Sequence, residues 1–246
     1  MAIQDHFSRT AAVYARARPE YPAAFLDHIA RLSPSHQLAW DCGTGSGQAA
    51  VGLADRFDRV VATDPSARQL SEAAPHARIQ YVLADERVPS LADGSVGLVT
   101  AASAAHWFDR PKFYAEVRRV AQPRAIVALW IYLIPGVSPE VDAVVNHFNT
   151  ITLEGYWPAG RQQAAEGYQG MSFPFKELPF PEFSFPLPWT VEDYLAFMQT
   201  WSAVACYQKA QAGDPVAAVA PTLREAWGPG RRETLWPLRG RIGLVA

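Results

Sequence analysis

The residues with the strongest chemical signal form a glycine-rich turn, Gly43-x-Gly45-x-Gly47, which follows Asp41. Glycines in such a turn let the backbone approach a ligand closely, and the polar groups of that ligand meet the N-terminus of the next helix. Asp64 follows about 20 residues later, where an acidic side chain can accept hydrogen bonds from both hydroxyls of a ribose. In a strand–turn–helix context, the glycines and the acid together predict a nucleoside site.

The spacing of the glycines distinguishes between nucleoside cofactors. A dinucleotide fold has the pattern Gly-x-Gly-x-x-Gly, which leaves room for a pyrophosphate. Here the third glycine comes one residue earlier, and the carboxylate of Asp41 would repel a phosphate but attract an ammonium group. S-adenosylmethionine has an ammonium group and a ribose and carries no phosphate. The residues therefore favour S-adenosylmethionine over a nicotinamide dinucleotide.

The elements around this turn follow from the hydrophobic pattern. The first half of the chain alternates short apolar runs with helical patterns, which is typical of a parallel sheet with crossover helices. We predict strands at Leu38–Cys42, Arg59–Asp64, Ile79–Leu83, Val96–Ala101 and Ala125–Ile134. We predict helices at Gln48–Phe57, from Ser66 to a point before Pro75, and at Pro111–Ala121. The glycine turn then joins the first strand to its helix, and Asp64 closes the second strand.

We predict a single domain of four parts. Residues 35–134 are its cofactor-binding core, and residues 1–34 form an N-terminal cap that is helical in part. Residues 135–181 are rich in proline, glycine and aromatic side chains, and we expect them to form a lid insertion. Residues 182–246 supply the C-terminal part of the sheet and its helices.

The cap and the C-terminal part have recognisable elements of their own. In the cap we predict a helix that starts at Pro22. Its inward face is expected to consist of Phe25, Leu26, Ile29 and Leu32. In the C-terminal part we predict a strand near Phe183–Phe185, helices around Val191–Tyr207 and Val216–Trp227, and a last strand at Arg239–Val245.

The composition narrows the function classes. The chain has 246 residues, 49% of them hydrophobic, and a formal net charge of -2. These values suit a globular domain with a sizeable core, and the near-neutral charge gives no basic field for nucleic acid. The longest apolar run, Ala125–Ile134, is too short to span a bilayer, and the first residues lack the apolar core of a signal peptide. We therefore expect a cytoplasmic protein without nucleic-acid or membrane partners.

Cysteine usage argues against two further kinds of site. Cys42 and Cys206 are the only cysteines and lie far apart in the sequence. We therefore expect neither a disulfide framework nor a bound metal ion. The sequence carries no signal for the oligomeric state.

Several motifs resemble those of a known enzyme family. Besides the glycine turn, they are Val61–Ser66, Ala84-Asp85, Ala105–Phe108, Arg18–Pro22 and Thr200–Ser202. Over nearly its whole length the chain resembles class I S-adenosylmethionine-dependent methyltransferases of the type 11 group, particularly the small-molecule branch that includes trans-aconitate methyltransferases. Gly97 departs from the family pattern, because Asp is common at this position.

The resemblance implies an α/β fold: a doubly wound, mostly parallel, seven-stranded Rossmann-like sheet with an antiparallel last strand and helices on both faces. It also implies S-adenosylmethionine as the cofactor and methyl transfer to a small molecule as the activity. Cofactor contacts are then expected from Asp41, Gly43, Thr44, Gly45, Gly47, Gln48, Asp64, Pro65, Ser66, Ala84, Asp85 and Ser103.

The same resemblance, with the density of Arg and Tyr near the N-terminus, predicts how an anionic acceptor would be held. We expect catalytic roles for His106, Tyr14 and Arg18, and substrate contacts from Arg18, Tyr21, Trp107 and Trp201. A carboxylate acceptor is ionised at neutral pH and needs no base, and Arg18 could orient it. A phenol or amine acceptor would need a base, which His106 would supply. A module that binds the cofactor without turnover stays open as a further alternative.

Overall fold

The computed structural model describes residues 17–245, so Tyr14 lies outside the described residues. These residues divide into two compact units. We call the first the sheet unit; it consists of residues 19–133, 162–183 and 238–245. We call the second the helical unit; it consists of residues 17–18, 134–161 and 184–237. The single domain with a lid over 135–181 stays a prediction, and the two units divide that segment between them.

The strands form one mostly parallel sheet. They are β1 (Leu38–Cys42), β2 (Arg59–Asp64), β3 (Ile79–Leu83), β4 (Val96–Ala102), β5 (Ala121–Tyr132), β6 (Lys176–Leu178), β7 (Phe183–Trp189) and β8 (Arg232–Leu244). The order is β3-β2-β1-β4-β5-β8-β6, and β7 pairs with β8 outside this path. The first five strands are mutually parallel, whereas β8 is antiparallel to β5 and to β6. The predicted fold class is therefore confirmed.

Nine α-helices are assigned among the described residues. They are α1 (Ala23–Leu32), α2 (Gln48–Ala54), α3 (Ala67–Ser71), α4 (Arg110–Val120), α5 (Pro139–His147), α6 (Arg161–Ala165), α7 (Val191–Gln199), α8 (Ser202–Ala210) and α9 (Pro215–Trp227). A 3₁₀ turn at Ala105–Trp107 follows β4. Within residues 17–245, no helix is long and apolar enough to cross a membrane.

Local chemistry accounts for several of these boundaries. Ser66 caps α3, because its hydroxyl accepts a hydrogen bond from the backbone N–H of Gln69. Asp109 caps α4 in the same way through the N–H of Lys112. At the centre of the sheet, β4 and the part of β5 from Ala125 onward are almost continuously apolar, which is typical of parallel strands covered on both faces.

Some predicted elements differ from the structure. In α1 the buried face contains Ala30, while Leu32 is only half-buried, so the inward set predicted for the cap helix was wrong at Leu32. The helical pattern over 191–207 is two helices, because the chain turns at Thr200 and Trp201. Strand β8 begins at Arg232, seven residues before the predicted Arg239.

Gly97 shows why one departure from the family pattern occurs. The register between β4 and β5 shifts between Val96 and Leu98, so Gly97 lies where the pairing of the two strands is irregular. A Cβ on Gly97 would lie 2.5 Å from the carbonyl oxygen of Ser35 and 2.7 Å from the hydroxyl oxygen of Ser33. No side chain fits there without movement of the chain, and the family's Asp would be excluded.

We expect Gly97→Ala to lower the free energy of unfolding by ~1–3 kcal/mol, because overpacking a filled site forces backbone shifts. Gly136→Ala is the matched control, since a Cβ on Gly136 would lie 3.6 Å from the nearest side-chain oxygen, that of Asp142. Urea titration of both variants measures the two changes. Equal stability of the two variants would contradict the assigned packing.

Candidate functional site

The glycine turn between β1 and α2 has a left-handed backbone at three positions. The φ angles of Gly43, Gly45 and Gly47 are 69°, 59° and 89°. Side chains with a Cβ rarely adopt these angles, so the turn requires its glycines. Thr44 N donates to Thr63 O at 2.9 Å, and Gly47 N donates to Thr44 O at 2.9 Å. The first bond joins the turn to the end of β2, and the second closes the turn itself.

Asp64 fixes the same turn from the end of β2. One carboxylate oxygen, Oδ2, accepts a hydrogen bond from Gly45 N at 2.9 Å. The other, Oδ1, accepts from Ser66 N at 2.8 Å. The carboxylate is 8% exposed, so these are shielded, charge-assisted bonds. Asp64 thereby ties the glycine turn to the start of α3.

Asp41 lies at the end of β1 and is fully buried. Thr100 Oγ1 donates to Asp41 Oδ1 at 2.7 Å, whereas Oδ2 is buried without a hydrogen-bond partner among the described residues. Burial raises the pKa of Asp41 to about 6; the Thr44 and Thr100 side chains oppose this rise, and the charge of Asp64 adds to it. A buried carboxylate with an unsatisfied oxygen is suited to a cationic ligand group.

Further polar atoms around the turn are buried and have no hydrogen-bond partner among residues 17–245. They are Thr44 Oγ1, Ser46 Oγ, Gln48 Nε2 and Gln69 Oε1. Buried polar groups are usually paired, so such a cluster indicates that a polar ligand completes it. No motif pointed to Gln69, because its position follows only from the packing of α3.

The glycines also define where space is open. A Cβ on Gly43 would lie 2.6 Å from Ala104 Cβ, and one on Gly47 would lie 2.6 Å from Tyr81 Oη. At Gly45 the nearest atom would be Gln69 Oε1 at 3.8 Å. The turn is therefore packed at Gly43 and Gly47 and open at Gly45, which suits the fit of a cofactor there.

The residues predicted near an adenine follow β3. Ala84 N donates to Asp64 O at 3.2 Å. Asp85 forms an ion pair with Lys112 and accepts from Arg87 N at 2.9 Å, and the Lys112 hydrogen bond lowers the pKa of Asp85. Pro65 is exposed next to Asp64. The roles of Ala84, Asp85 and Pro65 toward the cofactor stay predictions.

The segment after β4 passes directly over the glycine turn. Ala104 packs against Gly43, as the short Cβ distance shows, and His106 and Trp107 follow in the 3₁₀ turn. The rings of His106 and Trp107 are 4.7 Å apart, and both side chains are half-buried. His106 Nδ1 lies 3.1 Å from Tyr168 Oη. Tyr168 carried no sequence signal, because its turn has no helical or strand period.

Tyr21 and Ser103 meet in the sheet unit. The Tyr21 and Ser103 hydroxyl oxygens are 3.1 Å apart, and Ser103 has a positive φ of 55°. The Tyr21 ring packs edge-on against Trp130 with centroids 5.4 Å apart. The structure therefore brings these two predicted site residues together, although 82 positions separate them.

Arg18 and Trp201 belong to the helical unit. Arg18 Nε donates to Thr200 Oγ1 at 2.9 Å, and its guanidinium lies 5.0 Å from the Phe197 ring centroid. Trp201 is 4% exposed, with its ring 5.7 Å from that of Phe197. Trp201 is thus a member of an aromatic core, and its substrate contact stays a prediction, as does that of Arg18.

Arg161, at the start of α6 in the helical unit, was missed by the sequence analysis. It is half-buried, stacks 4.3 Å above the Trp157 ring centroid and donates to Asn149 Oδ1 at 3.2 Å. Burial lowers its pKa, and no carboxylate forms an ion pair with it in the described part of the chain. The same part contains no group of three or more side chains that could hold a metal ion.

Known proteins match this chain in sequence and in structure. Residues 40–129 match the family model of a methyltransferase domain. A Dictyostelium discoideum protein named as a methyltransferase is 31% identical over 233 residues, which cover 92% of this chain and 87% of the relative. A Saccharomyces cerevisiae protein named as an S-adenosylmethionine-dependent methyltransferase is 27% identical over 131 residues, covering 50% of this chain and 45% of the relative.

A solved structure from Anaeromyxobacter dehalogenans, of a protein assigned as a type II methyltransferase, superposes with a TM-score of 0.85. It is 40% identical and covers 93% of this chain and 98% of its own. The likeness therefore extends well beyond the glycine turn, through both the sheet and helical units. Because a relative of 31% identity is matched over most of both chains, this protein belongs to the class I S-adenosylmethionine-dependent methyltransferases, enzymes whose cofactor is S-adenosylmethionine.

Proposed function

We propose that this enzyme transfers the methyl group to a small anionic acceptor, a carboxylic acid, in the cytoplasm and without nucleic-acid or membrane partners. The observation that carries the proposal is Arg161, a half-buried guanidinium without a carboxylate partner in residues 17–245. Removing a cation from water is unfavourable unless an opposite charge compensates it. A carboxylate acceptor would provide that charge and could form a bidentate pair with the guanidinium.

The surroundings of Arg161 support a small organic anion. The Trp157 ring covers one face of the guanidinium, and the Trp157 and Trp201 rings are 5.7 Å apart. An acceptor held by Arg161 would therefore meet apolar aromatic surface next to the charge. Arg18 is a second half-buried cation of the same unit, stacked on Phe197, and we propose that it also contacts the acceptor.

Residues of the glycine turn and its neighbours are proposed to hold S-adenosylmethionine. The Asp64 carboxylate accepts backbone hydrogen bonds from Gly45 and Ser66, which fix its position, and we propose that it also accepts from the ribose hydroxyls. Asp41 Oδ2 would accept from the ammonium group, and Gly45 offers the open backbone. The unpaired atoms of Ser46 and Gln69 support a polar occupant at this place.

The bound cofactor supplies an activated methyl group, so the protein's contribution is binding and geometry. The chain must hold the nucleophilic oxygen in line with the breaking bond, roughly 3 Å from the methyl carbon, and exclude water. A carboxylate is already ionised at neutral pH, since its reference pKa is about 4, and no base is required. We propose that Arg161 and Arg18 orient it.

We expect Asp64→Ala to weaken S-adenosylmethionine binding by about 1.5–3 kcal/mol, or about 10- to 150-fold in Kd, because a charged acceptor is lost. Asp58→Ala is the matched control: Asp58 is exposed just before the amino end of the same strand, β2. Titration calorimetry measures both. An unchanged Kd in a folded Asp64→Ala variant would remove Asp64 from the ribose.

We expect cofactor affinity to fall as pH falls through about 6, because the raised pKa of Asp41 leaves it increasingly neutral there. A bound ammonium favours the carboxylate form, so binding near pH 6 releases a proton from Asp41. Above about pH 7 the carboxylate is ionised and affinity is flat; below pH 6 it falls about tenfold per unit. Calorimetry in two buffers of different ionisation enthalpy measures the released proton, which Asp41→Asn must abolish. A constant affinity from pH 5 to 7 would contradict the ammonium contact.

We expect S-adenosylhomocysteine release with a carboxylic acid when a panel of small acids, phenols and amines is offered. In Arg161→Gln the KM for that acid should rise about tenfold or more, since a charged hydrogen bond is lost, with cofactor Kd unchanged. Arg224→Gln is the matched control, because Arg224 is an exposed residue of the same unit that pairs with Glu192. Turnover of phenols or amines alone would contradict the carboxylate proposal and favour His106 as a base.

A further inference from the structure

Tyr168 contacts His106 in the sheet unit by two kinds of interaction. Its hydroxyl oxygen is 3.1 Å from His106 Nδ1, and the two rings are stacked at 29° with centroids 6.0 Å apart. The Tyr168 side chain is fully buried. His106 lies two residues after Ala104, which packs on the glycine turn. Tyr168 therefore restrains a predicted site residue from a distant part of the chain.

The backbone around Tyr168 is held in a strained form. Tyr168 has a φ of 67°, which is rare for a residue with an aromatic side chain, and Gly167 before it has a φ of 61°. A Cβ on Gly167 would lie 2.4 Å from Arg239 Cβ, so only glycine fits. Tyr168 N donates to Gln163 O at 2.8 Å, which fixes the turn. Strain that the surroundings maintain is typical of functional sites.

Neighbouring bonds attach this turn to the sheet. Gln169 Nε2 donates to Gly240 O at 3.2 Å, and Arg241 donates to Met171 O. Because the chain is anchored on both sides of Tyr168, the hydroxyl is delivered to a fixed place. The His106 ring therefore meets a rigid partner.

The chemistry of the pair sets the direction of the hydrogen bond. A phenol, with a reference pKa of about 10, is a far stronger acid than a neutral imidazole N–H, and an imidazole nitrogen is the stronger base. The favoured bond is therefore from Tyr168 O–H to His106 Nδ1. The partner of one ring nitrogen decides which nitrogen carries the proton, and here that proton is on Nε2.

We propose that Tyr168 is a positioning residue that holds the neutral His106 ring as its Nε2–H tautomer. In this state Nε2 carries the proton and cannot accept another, so His106 is not the base of the proposed transfer. Only this consequence rests on the proposed function; the tautomer itself follows from the Tyr168 contact.

The test is nitrogen NMR of histidine-labelled protein at about pH 8, where a neutral imidazole predominates. His106→Gln assigns the His106 signals. In the wild type we expect a proton on Nε2 and a hydrogen-bonded Nδ1; in Tyr168→Phe the Nδ1 resonance should shift downfield to the value of an unbonded nitrogen. Tyr114→Phe is the matched control, because the Tyr114 hydroxyl donates to Ser172 O at 2.7 Å in the same region. Its His106 signals should not move.

Two results would overturn the proposal: a wild-type His106 protonated on Nδ1, or His106 signals that Tyr168→Phe leaves unchanged. Thermal unfolding of both variants distinguishes a tyrosine that positions His106 from one that only stabilises the fold. A merely structural tyrosine would lower stability without changing the His106 signals. The NMR measurement needs neither cofactor nor acceptor. If the release assay contradicts a carboxylate acceptor, the tautomer result therefore still stands by itself.

Discussion

The carboxylate of Asp64 fixes the geometry on which the rest of the cofactor region depends. It joins the glycine turn, through Gly45 N, to the start of α3, through Ser66 N. Ser66 in turn caps α3, the helix that presents the buried amide of Gln69. A single charge thus sets the position of backbone and side-chain groups from two crossovers. If the same charge also accepts from a ribose, as proposed, Asp64 combines a structural and a binding role.

Asp41 adds an electrostatic constraint of a different kind. Its carboxylate is fully buried, and burial raises its pKa to about 6, which is a free-energy cost to the ionised protein. Ser46 and Gln69 contribute further buried polar atoms without partners in residues 17–245. Such groups lower the stability of the ligand-free protein. They are also oriented before the ligand arrives, which is the form of preorganisation that favours a charged, polar cofactor.

The sequence predicted some strands of the sheet more closely than others. The predicted bounds of β1, β2 and β3 agree with the structure. Each is a short stretch of strand-forming residues that ends at a turn or at a polar residue. Strand β5 begins earlier than predicted, at Ala121, since its first four residues are polar or exposed enough to hide the pattern. Strand β6 has only three residues, two of them exposed, and offers no period to detect.

The candidate site residues likewise fall into two groups, those marked by a local sequence pattern and those that are not. Asp41, Gly45 and Asp64 are identified by spacing, because a strand–turn–helix motif places them locally. Tyr168 and Arg161 have no such spacing: tertiary packing alone brings Tyr168 to His106 and leaves Arg161 half-buried without a carboxylate partner in the described chain. Motif analysis therefore finds residues that one strand–turn–helix motif places close together and misses those whose surroundings are set by tertiary packing.

Two buried or half-buried charges bear on the order in which the products of the proposed reaction would leave. The sheet unit holds a buried anion, Asp41, with an unsatisfied oxygen, and the helical unit holds a half-buried cation, Arg161. Methylation of a carboxylate gives a neutral ester and converts the sulfonium to a neutral thioether, while the ammonium group of the cofactor product is unchanged. In the proposed site the ester would lose its attraction to Arg161, whereas the cofactor product would keep the proposed contact with Asp41. For a carboxylate acceptor, electrostatics would therefore favour release of the methylated acceptor before the cofactor product.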